Sequence, residues 1–459
     1  MSRKQARRPR GALARRIHLL RTRARAAWLR ARFSVRRVAF RMASSVELAL
    51  LGPRRAANER NLYLETFWFG VLNGVATTFL EVFAVRLGAT SLQVGLLTAL
   101  PALVNVAVPV PAARLLDRAG QRVPLILKTV VWQRGAYLLL ALVPFLGSRW
   151  QVDGIVMLVA LSTIPAAVLN LGITVLIGDL VAPQDRAVVV SRRNVILSGT
   201  TMLVAMAGGW WLDLAPFPLN YQTLFGAAAC ASLLSLRYLR RIAGPETPRA
   251  RSTEPVGVRW LHLKAAWGEL ATQRKFLLFC ASAFVYHWGL YLPTALYSIY
   301  RVRYLGASDR WIGSFMTLHT ITTIAGYWMA GGLARRWGEE RMLVLGAGGL
   351  AFYPILTGLS TSLPPLLGIS AWGGLVGAWL NLALFNVSLA LAPEGRRATY
   401  IALYTVVVNL AASVAPLVGS ALAGAIGIRE AMILSGGVRL LGTGLFALLT
   451  LRRGTPRAS

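Results

Sequence analysis

The sequence predicts an all-α membrane protein with twelve transmembrane helices in two pseudo-symmetric six-helix bundles. Three observations predict it. The chain is 56% hydrophobic and only 15% charged, with a mean hydropathy of +0.55, where soluble domains carry roughly 25% charged residues. From Asn61 to about Leu451 it supplies twelve apolar segments near the ~20 residues that cross a bilayer core. An apolar pattern also occurs twice, as LGATSLQVGLL from Leu87 to Leu97 and LGASDRWIGSF from Leu305 to Phe315, at an offset of 218 residues. Each copy runs on to a short basic turn, LLDRAGQR from Leu115 to Arg122 and GLARRWGEER from Gly332 to Arg341. A second echo pairs LVAPQDRA from Leu180 with ALAPEGRRA from Ala390.

In chain order the spans are expected at 62–85, 91–113, 124–146, 154–178, 194–212, 220–240, 276–300, 310–333, 342–360, 365–391, 398–426 and 430–451. With both termini in the cytoplasm, the inner turns hold Arg114, Arg118, Arg122, Arg186, Arg192, Arg193, Arg335, Arg336, Arg341, Arg396 and Arg397. The outer turns are short and poorer in charge, as the positive-inside rule requires; Arg301, Arg303 and Arg310 are exceptions. The expected organisation is a basic extension at 1–60, a first bundle at 61–240, a cytoplasmic connector at 241–273, a second bundle at 274–452 and a tail at 453–459. The connector starts polar and turns amphipathic at WLHLKAAWGELATQRK, which reads as a strap followed by a helix on the inner leaflet.

Net charge is +33, and residues 1–60 supply 18 Arg and Lys against Glu47 and Glu59. That segment leaves several readings open: a basic helix on anionic lipid, a non-specific nucleic-acid contact, an organellar presequence, or an upstream start with Met42 opening the protein proper. No function rests on it, and no specific nucleic-acid partner is expected. Cys230 and Cys280 fall in or near spans and form no disulfide framework or metal-ligand spacing; no metal or cofactor is expected.

The turn after the second span, ARLLDRAGQR, resembles the signature loop of the major facilitator superfamily, a glycine followed at fixed spacing by Asp-Arg, glycine and basic residues. Asp117, Arg118, Gly120 and Arg122 match, and Ala113 stands where the family has glycine. A degenerate copy in the second half keeps Gly331, Arg336, Gly338 and Arg341, with Arg335 in place of the acid. The resemblance implies the family's twelve-helix fold and a gating role for this loop, in which Asp117 locks the cytoplasmic side through a charge pair and a helix dipole. The fifth span carries only half of the family's antiporter pattern: Gly199, Gly208 and Gly209 fit, but its Gly-Pro pair is missing. Ala415-Pro416 with Gly419 is a partial echo in the eleventh span.

Polar groups inside lipid are costly, so they face a cavity or one another. The first span carries Glu65, Asn73, Thr77 and Glu81 at multiples of four, along one slowly drifting helix face; the seventh carries His287, Tyr291, Thr294, Ser298 and Arg301. The fourth adds Asn170 and Thr174, the tenth Asn381 and Asn386. The resemblance places these four spans around a central substrate cavity, with interhelical hydrogen bonding as the alternative. Glu81, Glu65 and His287 are the candidates for carrying a coupling proton, since a carboxyl in an apolar cavity can load and release one. Glu81 has Arg86 as an alternative partner. Arg134 lies about 16 Å into the third span by the helical rise and needs an acid of its own bundle or a bound anion. Asp179, at the inner end of the fourth, reads as part of a gate, with Arg186 or the signature loop as partner.

These features predict a secondary active transporter in the plasma membrane, moving a small organic solute by alternating access as a monomer. The lack of dense charge among the stripes points to an amphipathic or weakly polar solute, with proton-coupled efflux as one mode and uptake of a metabolite as the other. No nucleotide-binding loop is present, which removes an ATP-driven pump. A membrane enzyme would need a cluster of acids, histidines or metal ligands at a membrane face, and none is found. The other reading is a non-transporting membrane sensor or scaffold that works through the basic N-terminal tail.

Overall fold

A computed structural model describes residues 53–118, 122–182, 185–242, 273–393 and 397–451. The readings of residues 1–52, of the connector over 243–272 and of Gly120 lie outside the described residues. The chain divides into two units, 1–59 and 60–459. Of the first, only residues 53–59 are described, as the opening turns of a helix.

The described residues form helices and no strand. The first pass is α1 (Pro53–Arg86), and the second is split into α2 (Ser91–Ala107) and α3 (Pro109–Arg118). α4 (Arg122–Leu140), α5 (Gln151–Leu180), α6 (Arg186–Leu214) and α7 (Leu219–Arg240) complete the first bundle. The seventh pass is broken into α8 (Arg274–Tyr291), α9 (Thr294–Ile299) and a π turn at Tyr300–Tyr304. Then come α10 (Asp309–Trp337), α11 (Glu339–Leu359), α12 (Pro364–Leu391), α13 (Arg397–Ile426) and α14 (Ile428–Leu451). Twelve passes result, as the sequence predicts. The two broken passes are where span prediction missed structure, and proline is the reason at each: a ring at 109 or 293 removes an amide donor and clashes with the preceding turn. The third pass ends at Leu140, earlier than expected, and Pro144 opens a short 3-10 turn there.

Eight helices among the described residues are long and apolar enough to cross a membrane unaided. The second, third, sixth and eighth passes are not among them. α4 carries Lys128 and Arg134, and α10 carries Thr317, His319, Thr320, Thr322 and Thr323. Such passes depend on burial against neighbours, because lipid does not hydrate their polar groups.

The doubled pattern builds the same device twice. Gly88 and Gly306 take φ of +96° and +64°, a region that side chains with a Cβ rarely enter. Each reverses the chain at the end of a pass. The next polar residue caps the following helix: the Thr90 hydroxyl accepts from the amide of Gln93, and the Ser308 hydroxyl from that of Trp311. Gln93 returns the bond to Thr90 and completes a capping box.

The repeat also builds the seam between halves. Gly95 of α2 and Gly313 of α10 are equivalent at the 218 offset. A Cβ on Gly95 would stand 3.1 Å from the Pro416 carbonyl of α13, and one on Gly313 would strike the Ala205 carbonyl of α6. Two crossings of bare backbone on backbone thus join the bundles, related as a pseudo-twofold axis requires.

Candidate functional site at the seam

The end of the bundle that carries the two glycine turns is closed. Asp309, at the first turn of α10, is its hub. It accepts from Arg86 Nε at 3.1 Å and from the Tyr221 hydroxyl at 2.5 Å, and its amide donates to Asp213 at 3.0 Å. Arg86 Nη2 lies 3.0 Å from the same carboxylate. Arg86 also donates to the Ala307 carbonyl, and Arg303 donates to that of Ala89, at 3.2 and 2.7 Å. Ala89 and Ala307 are equivalent at the 218 offset, so each half grips the other's turn at the same atom. A cavity of about 960 Å³ opens beside this latch, lined by Arg86, Asp213, Phe217, Arg303 and Asp309.

Deeper along the seam, the stripes of the first and seventh passes meet. Ser298 donates to the Glu81 carboxylate at 2.6 Å. One and two turns below Glu81 on the same face lie Thr77, which is exposed, and Asn73, which is half-buried and donates to Thr201 of α6 at 3.1 Å. Every hydrogen bond between described residues of the two halves lies in the part of the spans nearest the latch.

The remaining polar residues fall into three groups. Asn170, Thr174 and Asn381 are exposed, and Thr174 folds back on the Asn170 carbonyl. Tyr291 and Thr294 are half-buried, with Thr294 bonded to the Tyr291 carbonyl. His287 is 6% exposed, with a ring nitrogen 2.8 Å from the Ala283 carbonyl and the rings of Tyr291 and Tyr404 beside it. Asn386 sits away from the seam contacts and donates to Glu339 of α11 at 2.8 Å.

Glu65 is 2% exposed and pairs with Arg193 at 3.4 Å. Arg193 also donates to Thr66 at 2.8 Å. Arg134 is 1% exposed, packs over the Phe69 ring at 4.6 Å and donates to Gln133; its Nε and Nη2 have no hydrogen-bond partner. Its acidic neighbour is Glu65, whose charge acts on it. Glu81 does not pair with Arg86: Ser298 holds the carboxylate, and Asp309 takes the arginine.

Of the loop residues, α3 ends at Arg118 and α4 begins at Arg122, with the side chains of Asp117, Arg118 and Arg122 outside the described set. Ala113 is half-buried and Gly331 opens no tight contact, while Arg336 and Arg341 are exposed. Gly338 turns the chain between α10 and α11 at φ +82°. Arg186 donates to the carbonyls of Gly178 and Val181, closing the end of α5 beside Asp179.

Sequence reading passed over Arg439, which is 2% exposed in α14. It donates to the carbonyls of Gly289, Leu290 and Leu350 and to the Tyr297 hydroxyl. Pro293 cannot return a hydrogen bond to Gly289, so Arg439 serves the backbone that the seventh-pass break leaves bare. A lone charge inside the otherwise apolar run from Met432 to Leu449 was the available signal.

A family model of the Major Facilitator Superfamily matches residues 62–308 and 279–459. The fold is similar to that of the nucleoside transporter NupG, at 10% identity and a TM-score of 0.68, over 86% of this chain and 99% of that one. It is also similar to a bacterial homologue of the human lysosomal transporter Spinster in its inward-facing, unoccupied conformation (17% identity, TM-score 0.66, 89% and 100% covered). A third similar structure is a D-xylose–proton symporter, at 12% identity and a TM-score of 0.61, over 85% and 96% of the two chains. No curated protein matches the sequence.

Proposed function

Because the chain belongs to the major facilitator superfamily, and so is a multi-pass transporter rather than an enzyme, we propose that it moves a small organic solute across the plasma membrane by alternating access. One observation carries this reading: at the end with the two glycine turns, the halves are locked to each other through Arg86, Tyr221, Arg303 and Asp309. Bundles joined at one end by glycine crossings can rock to free that end and close the other. The loop arginines put the opposite end in the cytoplasm, with both termini. The latch then seals the outer side, and the signature loop gates the inner one.

Glu81 is the proposed proton carrier. Its carboxylate crosses the seam to the Ser298 hydroxyl and is in no ion pair among the described residues, so gaining a proton breaks no salt bridge there. Loss of the Glu65 charge would strand Arg193 and Arg134, which favours a fixed structural role for Glu65. Asn73, Thr77, Asn170, Thr174, Tyr291, Thr294 and Asn381 are proposed to line the solute path, with His287 behind them.

The test is purified protein in liposomes with an imposed pH gradient and a panel of solutes. Gradient-driven accumulation is expected, and its sense reads the direction of transport. Movement indifferent to the gradient removes proton coupling; no movement of any solute, together with unaltered signalling-partner binding by the tail, would favour the sensor reading. Deletion of residues 1–41 separates the two, since a transporter keeps its flux and a tail-based scaffold loses its output.

A further inference from the structure

Arg301 is a half-buried cation with one buried donor to spare. It stands three residues beyond Ser298 in the π turn that ends the seventh pass. Its guanidinium lies 4.0 Å from the centre of the Phe315 ring and 5.4 Å from that of Tyr297. Nη2 donates to the Tyr353 hydroxyl at 2.9 Å, and buried Nε has no partner. Among the described residues no carboxylate lies within ion-pair distance of it. Arg439, by contrast, is buried and has every guanidinium nitrogen bonded, to three backbone carbonyls and the Tyr297 hydroxyl. An orphaned donor on a charged group is costly, and native structures leave few of them without a ligand, ion or water to explain them.

The surroundings describe what would fit. Phe315, Tyr297, Tyr353 and Trp311, which stacks on Phe315, make an aromatic wall on the second half. Across the seam is Glu81, close enough that the Arg301 charge acts on it. The other ionisable groups are His319 on α10, on which Arg301 also acts, the phenols of Tyr297 and Tyr353, and Arg439 behind Tyr297. Of these groups, Arg301 offers a cationic donor without a partner and Glu81 the acid that faces it across the seam.

We propose that Arg301 and its aromatic wall recognise the acidic group of an organic anion with an aromatic or apolar body, and that the anion binds together with a proton on Glu81. A proton at Glu81 and an anion at Arg301 add no net charge to a low-dielectric seam, whereas either alone adds a full unit. The two then travel together, and an inward proton gradient drives uptake. This deepens the transporter reading and rests on it.

The test uses the full-length protein in detergent and matched pairs of ligands: 3-phenylpropanoate, indole-3-acetate and octanoate, each against its neutral amide. Thermal-shift titration should give at least one acid an affinity about tenfold or more above its amide, the size of one charge-assisted bond. Arg301→Gln should erase that preference and Arg301→Lys should keep part of it, which separates recognition from misfolding. In weakly buffered solution, binding of the acid should take up about one proton, and Glu81→Gln should abolish the uptake. Amides that bind as well as acids, acids that all fail to bind, or a preference that survives Arg301→Gln would overturn the recognition site. Acid binding without proton uptake would overturn the joint binding. Liposome flux of neutral solutes alone would leave transport standing while this inference fell.

Discussion

Three arginines inside the spans carry similar charge and lead different lives, and the difference lies in what each donates to. Arg439 is saturated by backbone carbonyls around the break at Pro293. Arg439→Met keeps the volume but orphans those carbonyls, so it should destabilise the fold by ~2–4 kcal/mol, read as lost thermal stability in detergent. Unchanged stability would mean that water or another donor already serves the break. Arg134 keeps two donors without partners. Replacing it by a well-packed Met should therefore cost much less than the Arg439 change, or even stabilise. Glu81 belongs to the same scale. Glu81→Gln should leave expression and fold intact yet end gradient-driven accumulation while sparing solute exchange; accumulation at the parent rate would sink its role as proton carrier. The arginines show why a charge in a span resists reading from sequence. Arg134 and Arg301 stood out in the sequence as charges in or at the edge of the spans and Arg439 did not. Partners such as the Tyr353 hydroxyl of Arg301 and the Gly289 and Leu350 carbonyls of Arg439 lie 52 to 150 residues away in the chain.

At the scale of elements, the repeated glycines decide how the bundles meet. Gly313→Ala would push a Cβ into the Ala205 carbonyl. The described, latched arrangement should be penalised, and the population should shift towards the state in which α6 and α10 part there. Cysteine labelling at the latch end would register this as a faster modification rate, and an unaltered rate would show that the crossing tolerates the methyl. Gly88→Ala acts differently. Nothing lies within 4 Å of its Cβ, but φ of +96° costs an L-residue ~1–2 kcal/mol wherever it occurs. The doubled LGA(T/S) motif was visible in the sequence because turn and cap chemistry is local. The role of the glycine six residues on from each alanine was not, because the carbonyl it meets belongs to the other bundle. Pass breaks at 109 and 293 sit between: the prolines are plain in the sequence, yet only tertiary partners decide whether a proline kinks a helix or ends it.

For the molecule as a whole, the closed end is a single cooperative device with Asp309 at its centre. Asp309→Asn removes the ion pair with Arg86 and keeps most of the hydrogen bonding. Interspin distances between labels on the two halves at that end should broaden towards longer values, with total flux changed less than the balance of states; a distribution identical to the parent would show that the glycine crossings alone hold the seam. The twelve-pass plan and the two-bundle division follow from hydropathy and repetition, which are properties of the chain read in order. The latch does not, because Arg86, Tyr221 and Asp309 look like ordinary loop-edge residues until folding brings the ends of three passes together. The reciprocal grip of Arg86 on the Ala307 carbonyl and of Arg303 on the Ala89 carbonyl has a lasting effect of its own. Main-chain oxygens are spelled by no codon. The grip therefore asks for the two arginines but for no particular side chain at 89 or 307, and two polypeptides cut within 243–272 and produced separately should still find each other in the correct register.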